Sequence, residues 1–359
     1  MTDHREPLGH ATQGEAQRWV ADEYYELNGT HYDILDELPT PLEFSRLVHI
    51  SRPVLIKASE MPGVISLWTD EYLTRRMGDR EISIAVTPTG RADAITRNRG
   101  GRLYFTEPHV DKMTIGSFLD KITLDPADAT SADREVYYLQ SQNGNMFTGR
   151  YFDSTSDPDS SEFEPLREDV PSEITWCSEA LDRCPDAVNL WIGNSASVTS
   201  VHSDPYENIY SVVRGAKHFT LFPPTEGWCL QERSYPHARY VRSEATSRLE
   251  HIPSPPTTPE VRWSSVLDPT DSTSLPPEAH PIHITVGAGE TLYLPAGWWH
   301  YVRQSEVTIA VNHWYDMESR GASWVWLNLL RGVGDPPPGN GYVEQTSHVT
   351  EGSSRCNCT

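Results

Sequence analysis

The stretch Val198-Thr199-Ser200-Val201-His202-Ser203-Asp204 decides how this chain is read. Side chains two apart on an extended strand point to one face, so His202 and Asp204 project together. Far downstream, Leu294-Pro-Ala-Gly-Trp-Trp-His300 offers a second imidazole. Two histidines and one carboxylate can hold a ferrous ion on one face and leave its other positions open. An isolated His-x-Asp also arises by chance in surface loops, so the weight falls on its surroundings.

Four features supply that weight. Lys217 follows on the next strand, beside Phe219, Leu221 and Phe222. A charge on so apolar a strand wants a partner, and a ligand carboxylate would be one. The plain alternative is a lysine reaching water. Thr199 and Tyr138 add hydroxyls suited to the same carboxylate. Simple alternation puts Thr199, three before His202, on the wrong face, and only a bend or bulge would bring it round. Tyr138 is equally suited to a core position. Gly287-Ala-Gly-Glu290 turns the chain into a strand, and Pro295 with Gly297 then presents His300. Trp298 and Trp299 would shield the metal or simply fill the core. Finally, Thr308, Ala310, Asn312 and Trp314 share one face and suit a pocket wall, with Asn208 facing the metal. His218 and His313 fall on the opposite faces, and His237, His251, His280 and His283 read as solvated.

Working outward, short apolar runs separated by Gly and Pro dominate. Strands are expected at 52–57, 82–86, 136–140, 188–192, 210–213, 217–222, 282–286, 290–294 and 307–311. The pair around Arg214-Gly-Ala reads as a hairpin, and the last three strands have hairpin spacing. Helices are expected at 14–28, 41–49 with Thr40 as N-cap, 71–77, 114–122, 177–183 and 322–330. Residues 88–102 read as loop. The resulting organisation has a helical flank over 1–60 and a β-rich domain over 61–318. A C-terminal helix over 319–333 and a disordered tail over 334–359 follow. Within the β domain, 153–169 reads as a mobile acidic insertion and 225–281 as a Pro-rich crossover. The fold class is mainly β with flanking helices, in a double-sheet arrangement.

Composition narrows the partners. Hydrophobic residues make up 37%, enough for a packed core. The net charge of −22 argues against nucleic acid and anionic lipid, and suits a basic protein segment. Solubility alone would also explain it. No apolar run reaches the roughly 20 residues of a membrane span. Residues 1–10 are charged, so no secretory signal is expected. Five cysteines make no disulfide framework, which suits a cytoplasmic protein, with nuclear residence also compatible. Cys356-Asn-Cys358 has too few neighbours for a stable metal site. A homodimer through the N-terminal helices or the Trp-rich closing helix is the suggested assembly.

The order His202-x-Asp204, Lys217, His300 resembles the jumonji-C (JmjC) 2-oxoglutarate oxygenases of the small hydroxylase type. The matching stretches are Val136-Tyr-Tyr-x-Gln140, Pro185-Asp-Ala-Val-Asn-x-Trp191, Val198-Thr-Ser-x-His202, Tyr206-Glu-Asn208, Lys217-His-Phe219, Leu292-Tyr-Leu-Pro295 and Ala310-Val-Asn-x-Trp-Tyr-Asp-Met317. They run over most of residues 40–330. The resemblance implies a double-stranded β-helix (jelly roll, cupin-like) and Fe(II) held by His202, Asp204 and His300. It implies 2-oxoglutarate contacts at Tyr138, Thr199, Asn208 and Lys217, whatever the alternation says of Thr199. Asn312 and Trp314 would line the co-substrate pocket, and O₂ would be the oxidant. The implied reaction is (3S)-hydroxylation at C3 of a lysine in a partner protein, with a developmentally regulated GTP-binding protein as the usual partner. The insertion, the crossover and the tail have no assignable counterpart, which leaves the rim of the substrate groove open.

Three rivals share parts of this pattern. A histone lysine demethylase would use the same centre, yet no chromatin-reading module is evident. A JmjC-type protease would need an activated water, and no added carboxylate–His pair marks one. A non-catalytic metal-binding cupin would have no use for Lys217 and Tyr138.

Overall fold

The computed structural model describes residues 12–123, 135–140, 144–153, 161–332 and 335–339. Two sheets face each other. The larger has seven strands, in the order Asp33–Leu35, Val54–Ile56, Thr291–Leu294, Tyr206–Arg214, Thr308–Asp316, Ala187–Gly193 and Phe147–Thr148. The smaller has five, in the order Ile282–Gly287, Ala216–Phe222, Trp299–Gln304, Val198–Ser203 and Arg91–Ala92. From Ala187 to Phe222 the chain alternates between the two sheets, and it does so again from Ile282 to Asp316. This alternation makes the expected jelly roll.

The sequence chemistry explains the layers. Leu221, Ile284, Leu292 and Val302 meet between the sheets. The outer face of the larger sheet, with Leu190, Ile192, Ile309 and Val311, is covered by Leu73 and Phe118 from the helices Asp70–Met77 and Ile115–Thr123. Its central strands are therefore buried on both faces, including polar side chains such as Asn189, Ser211 and Asn312. The flank is tied on by Val54–Ile56, antiparallel to Thr291–Leu294, so residues 1–60 contribute strands as well as helices. The helix Pro41–Ile50 is started by a capping box in which Thr40 and Glu43 satisfy each other's backbone N–H.

Several expectations need correction. Tyr206–Arg214 and Ala216–Phe222 do not pair as a hairpin; they lie in different sheets, and Gly215 at φ +72° makes the corner. Each finds a distant partner that covers its apolar face. Ile282–Gly287 and Thr291–Leu294 are likewise split between sheets. The supposed loop 88–102 holds Arg91–Ala92, parallel to Val198–Ser203, and Ala94–Arg97, antiparallel to Leu103–Glu107. These edge segments are too short and polar to read without their partners.

Residues 161–169 of the acidic insertion are packed, not mobile. Phe163 and Leu166 are buried in the main core, and Asp169 accepts hydrogen bonds from Trp68 Nε1 and the Tyr72 hydroxyl. The crossover is also folded. Glu232–Tyr235 pairs with Val261–Ser264, and His237–Arg242 pairs with Leu249–Pro253 and Leu103–Glu107. Within it His280 stacks on Tyr25 and bonds Glu226, and His251 bonds Thr106, so these histidines bridge elements instead of lying in solvent. The start of the expected tail is docked, with Ser234 donating to Pro337 O and accepting from Gly339 N. Cys356 and Cys358 lie outside the described residues. Among the described residues Cys177, Cys184 and Cys229 are free, and no helix is long and apolar enough to cross a membrane.

Candidate metal centre and its cavity

His202 and His300 lie directly opposite each other on neighbouring strands of the smaller sheet. Their ring centroids are 4.2 Å apart. Asp204 follows the first strand, and its carbonyl accepts from Gly297 N at 2.8 Å, which pins it to the turn before His300. The Asp204 Oδ2 atom is 3.5 Å from His202 Nε2 and 3.7 Å from His300 Nε2. The three ligand atoms all lie within 4.8 Å of one another.

Each imidazole is fixed by its other nitrogen. His202 Nδ1 donates to Ser200 O at 2.8 Å, and His300 Nδ1 donates to Trp298 O at 3.1 Å. That tautomer leaves both Nε2 lone pairs facing Asp204, the arrangement metal-ligating histidines use. Asp204 Oδ2 is buried and finds no hydrogen-bond donor among the described residues. Burial and the neighbouring His202 push His300 down to about 4, so it is neutral near pH 7. Burial disfavours the Asp204 carboxylate, but the imidazoles outweigh it and hold Asp204 at about 2. His202 is held above its ordinary value because Asp204 overcomes the effect of burial. A carboxylate and two inward lone pairs therefore suit a divalent cation.

The cavity beside this trio lies between the sheets. Trp191, Asn208, Tyr210, Asn312 and Trp314 line it from the larger sheet. Thr199, Phe219 and Val302 line it from the smaller one. Thr199 reaches it because the strand register slips between Thr199 and His202, so three steps there oppose two from Val302 to His300. This is the bulge that simple alternation required. The Thr199 hydroxyl lies 3.4 Å from the Tyr138 hydroxyl, which accepts from Lys217 Nζ at 3.3 Å.

Lys217 is 1% exposed, and no carboxylate pairs with it among the described residues. Burial takes it down from the ordinary lysine value to about 7. A buried ammonium with only a hydroxyl partner, and the unpartnered indole N–H of Trp314, leave donors suited to an anionic ligand.

All nine side chains singled out from the sequence thus gather around one cavity, Lys217 behind the Tyr138 and Thr199 hydroxyls. Asn312 does not point alone into it. Its Oδ1 accepts from Trp191 Nε1 at 2.8 Å and Asn189 Nδ2 at 3.2 Å, and its Nδ2 donates to Asn208 Oδ1 at 3.0 Å. Trp298 Nε1 donates to Ser51 O, and its ring packs in the core. His313 and His218 face elsewhere, as expected, toward Pro171 O and toward Thr285 and Ser305.

Sequence reasoning missed Trp263, Asp93 and Gln140. Trp263 lies parallel to His202, with centroids 6.0 Å apart and planes 6° apart. An isolated Trp in a Pro- and Ser-rich run was the available signal. Together with Phe105, Val110 and Ser83 these residues line a second cavity of about 510 Å³, which shares Thr199 and His202 with the first.

Fold and site together define a jelly-roll protein with a two-histidine, one-aspartate metal centre and a donor-rich inner pocket. Residues 39–321 match the cupin-like domain family. The chain belongs to that family, among its JmjC oxygenases. It is 37% identical over 331 residues to the lysine-specific demethylase JMJ32 of Arabidopsis thaliana, covering 85% of this chain and 87% of that one. It is also 37% identical over 297 residues to the bifunctional peptidase and (3S)-lysyl hydroxylase JMJD7 of Homo sapiens, covering 79% and 84%. JmjC domain-containing protein E of Dictyostelium discoideum is 32% identical over 323 residues, covering 82% and 86%. JmjC oxygenases use Fe(II) and 2-oxoglutarate, and the donor set found here fits such a cation.

Proposed function

We propose that this protein is an Fe(II)- and 2-oxoglutarate-dependent protein hydroxylase that acts at C3 of a lysine side chain. The observation that carries the reading is the juxtaposition of an open metal-ligand trio with a buried, carboxylate-free lysine. His202, Asp204 and His300 would hold the iron. Lys217, through its ammonium, and Tyr138 and Thr199, through their hydroxyls, would hold the far carboxylate of 2-oxoglutarate. Asn208 and Trp314 contribute further donors from the opposite wall. Iron held there would supply the oxidising chemistry, with O₂ as oxidant, one oxygen atom ending in the lysine hydroxyl and the other in succinate as 2-oxoglutarate loses CO₂. The enclosed walls exclude bulk water and position the acceptor. The acceptor is a lysine-bearing segment of a partner protein, and the family resemblance read from the sequence suggests a GTP-binding protein of the developmentally regulated type. The enzyme works in the cytoplasm, as a homodimer.

The test is an anaerobic titration with Fe(II) and 2-oxoglutarate, followed by O₂ and mass spectrometry on a mixture of basic proteins. A lysine gaining about 16 Da is expected. His202→Ala should abolish 2-oxoglutarate turnover, and turnover at the wild-type rate would overturn the assignment. Lysine demethylation is the second reading, favoured by the identity to the Arabidopsis demethylase. It would release formaldehyde from methylated lysine and leave unmethylated lysine unchanged.

A further inference from the structure

The cavity of about 510 Å³ meets the metal trio at His202 and Thr199. It is where an acceptor side chain could approach the metal centre from outside. One half of its lining is apolar, from Ala85, Ala92, Phe105, Pro108, Val110 and the Trp263 ring. Among its lining residues Asp93 is the one carboxylate, and none is a lysine or arginine.

Asp93 sits in an unusual place. It separates the short strands Arg91–Ala92 and Ala94–Arg97 and adopts φ +53°. That left-handed conformation is strained for any residue with a side chain, though aspartate tolerates it better than most. One carboxylate oxygen is held by Gln140 Nε2 at 2.9 Å. The other, Oδ1, has no protein partner among the described residues. The nearby Glu107 side chain is instead half exposed, 3.4 Å from His237. The groove therefore presents a single fixed negative charge above a half-apolar lining, with an aromatic face to one side. That combination matches an alkyl stem ending in a cation.

We propose that Asp93 is the specificity-determining anchor for the ammonium head of the acceptor lysine, with Gln140 orienting its carboxylate and Phe105, Val110 and Trp263 enclosing the methylene stem. The proposal rests on the lysyl hydroxylase reading and names the residue that selects lysine within it. C3 is the first side-chain carbon, next to the backbone, so a head held at Asp93 fixes the far end of the stem and limits how C3 can be presented to the metal centre at His202.

The experiment uses the full chain loaded with Fe(II) and 2-oxoglutarate. Acceptor-dependent succinate formation is measured with a pool of synthetic peptides, each with one central lysine in randomised flanks. A matched pool carries 6-hydroxynorleucine, in which a hydroxyl replaces the ammonium. Wild type should favour the lysine pool in kcat/KM by tenfold or more, chiefly through KM. In Asp93→Asn that ratio should fall at least tenfold. Both pools are read on one preparation, so misfolded protein cancels from the ratio. If the variant is inactive, the wild-type ratio still decides: equal use of both pools overturns the proposal. An undiminished lysine preference in Asp93→Asn also overturns it and leaves the hydroxylase reading intact. Failure of the wild type to consume 2-oxoglutarate at all would overturn that reading first, and this one with it.

Discussion

Lys217 shows how much a single side chain carries here. Its ammonium is buried between the sheets and, among the described residues, hydrogen-bonds the Tyr138 hydroxyl alone. Burial leaves it titrating at about 7, so in the free protein it is largely neutral above that pH. A bound carboxylate favours the charged form and raises that value. Binding of 2-oxoglutarate should therefore take up a proton at pH 8, and affinity should weaken by up to tenfold per pH unit above about 7. Calorimetry in buffers of different ionisation enthalpy reads the proton count directly, and zero uptake at pH 8 would contradict this role. Lys217→Met should raise the KM for 2-oxoglutarate by roughly 10- to 100-fold, the equivalent of one lost charge-assisted bond of about 1.5–3 kcal/mol.

At the scale of elements, two local irregularities build the site. The bulge between Thr199 and His202 turns a threonine from the wrong face into the cavity. The corner at Gly215 sends the chain from one sheet to the other, so that Lys217 joins the sheet whose strands carry His202 and His300. A Cβ at Gly215 would lie 2.5 Å from Thr308 Oγ1 and 2.9 Å from Val307 O, in a backbone conformation of φ +72°. Gly215→Ala should therefore destabilise the protein by about 2 kcal/mol, from left-handed strain plus displacement of Thr308. Urea denaturation measures this, and an unshifted midpoint would show that the corner tolerates a side chain.

On the scale of the whole molecule, the crossover changes the picture most. Residues 225–281 read as a long excursion, yet their strands pair among themselves and with Leu103–Glu107. They bring Trp263 over His202 and form one wall of the outer groove. A folded crossover should resist proteolysis. Trypsin should cut after Arg239, which is exposed on the strand His237–Arg242, only as fast as the protein unfolds globally. Rapid cleavage there in native buffer, followed by mass spectrometry, would return this segment to the status of a loop.

The metal trio, the apolar-strand lysine and a mainly β double-sheet fold were legible in the residues themselves, whereas the jelly roll came from the family resemblance. The first three rest on local patterns, namely two-residue alternation, Gly/Pro punctuation and residue types with few other uses. Asn208, Asn312 and Trp314 were legible for the same reason, since they share the inward face of strands with an unbroken period. What the sequence left open depends on partners distant in the chain. Hairpin spacing could not reveal that Gly215 is a corner, because pairing is decided by which apolar faces meet. Thr199 needed a slip in register against Val302, and Phe163 needed a core to enter before its acidic run could be called packed. Asp93 and Trp263 become neighbours of His202 only when three separate segments are brought together. Local alternation names the faces of a strand, and only the packed fold decides what each face meets.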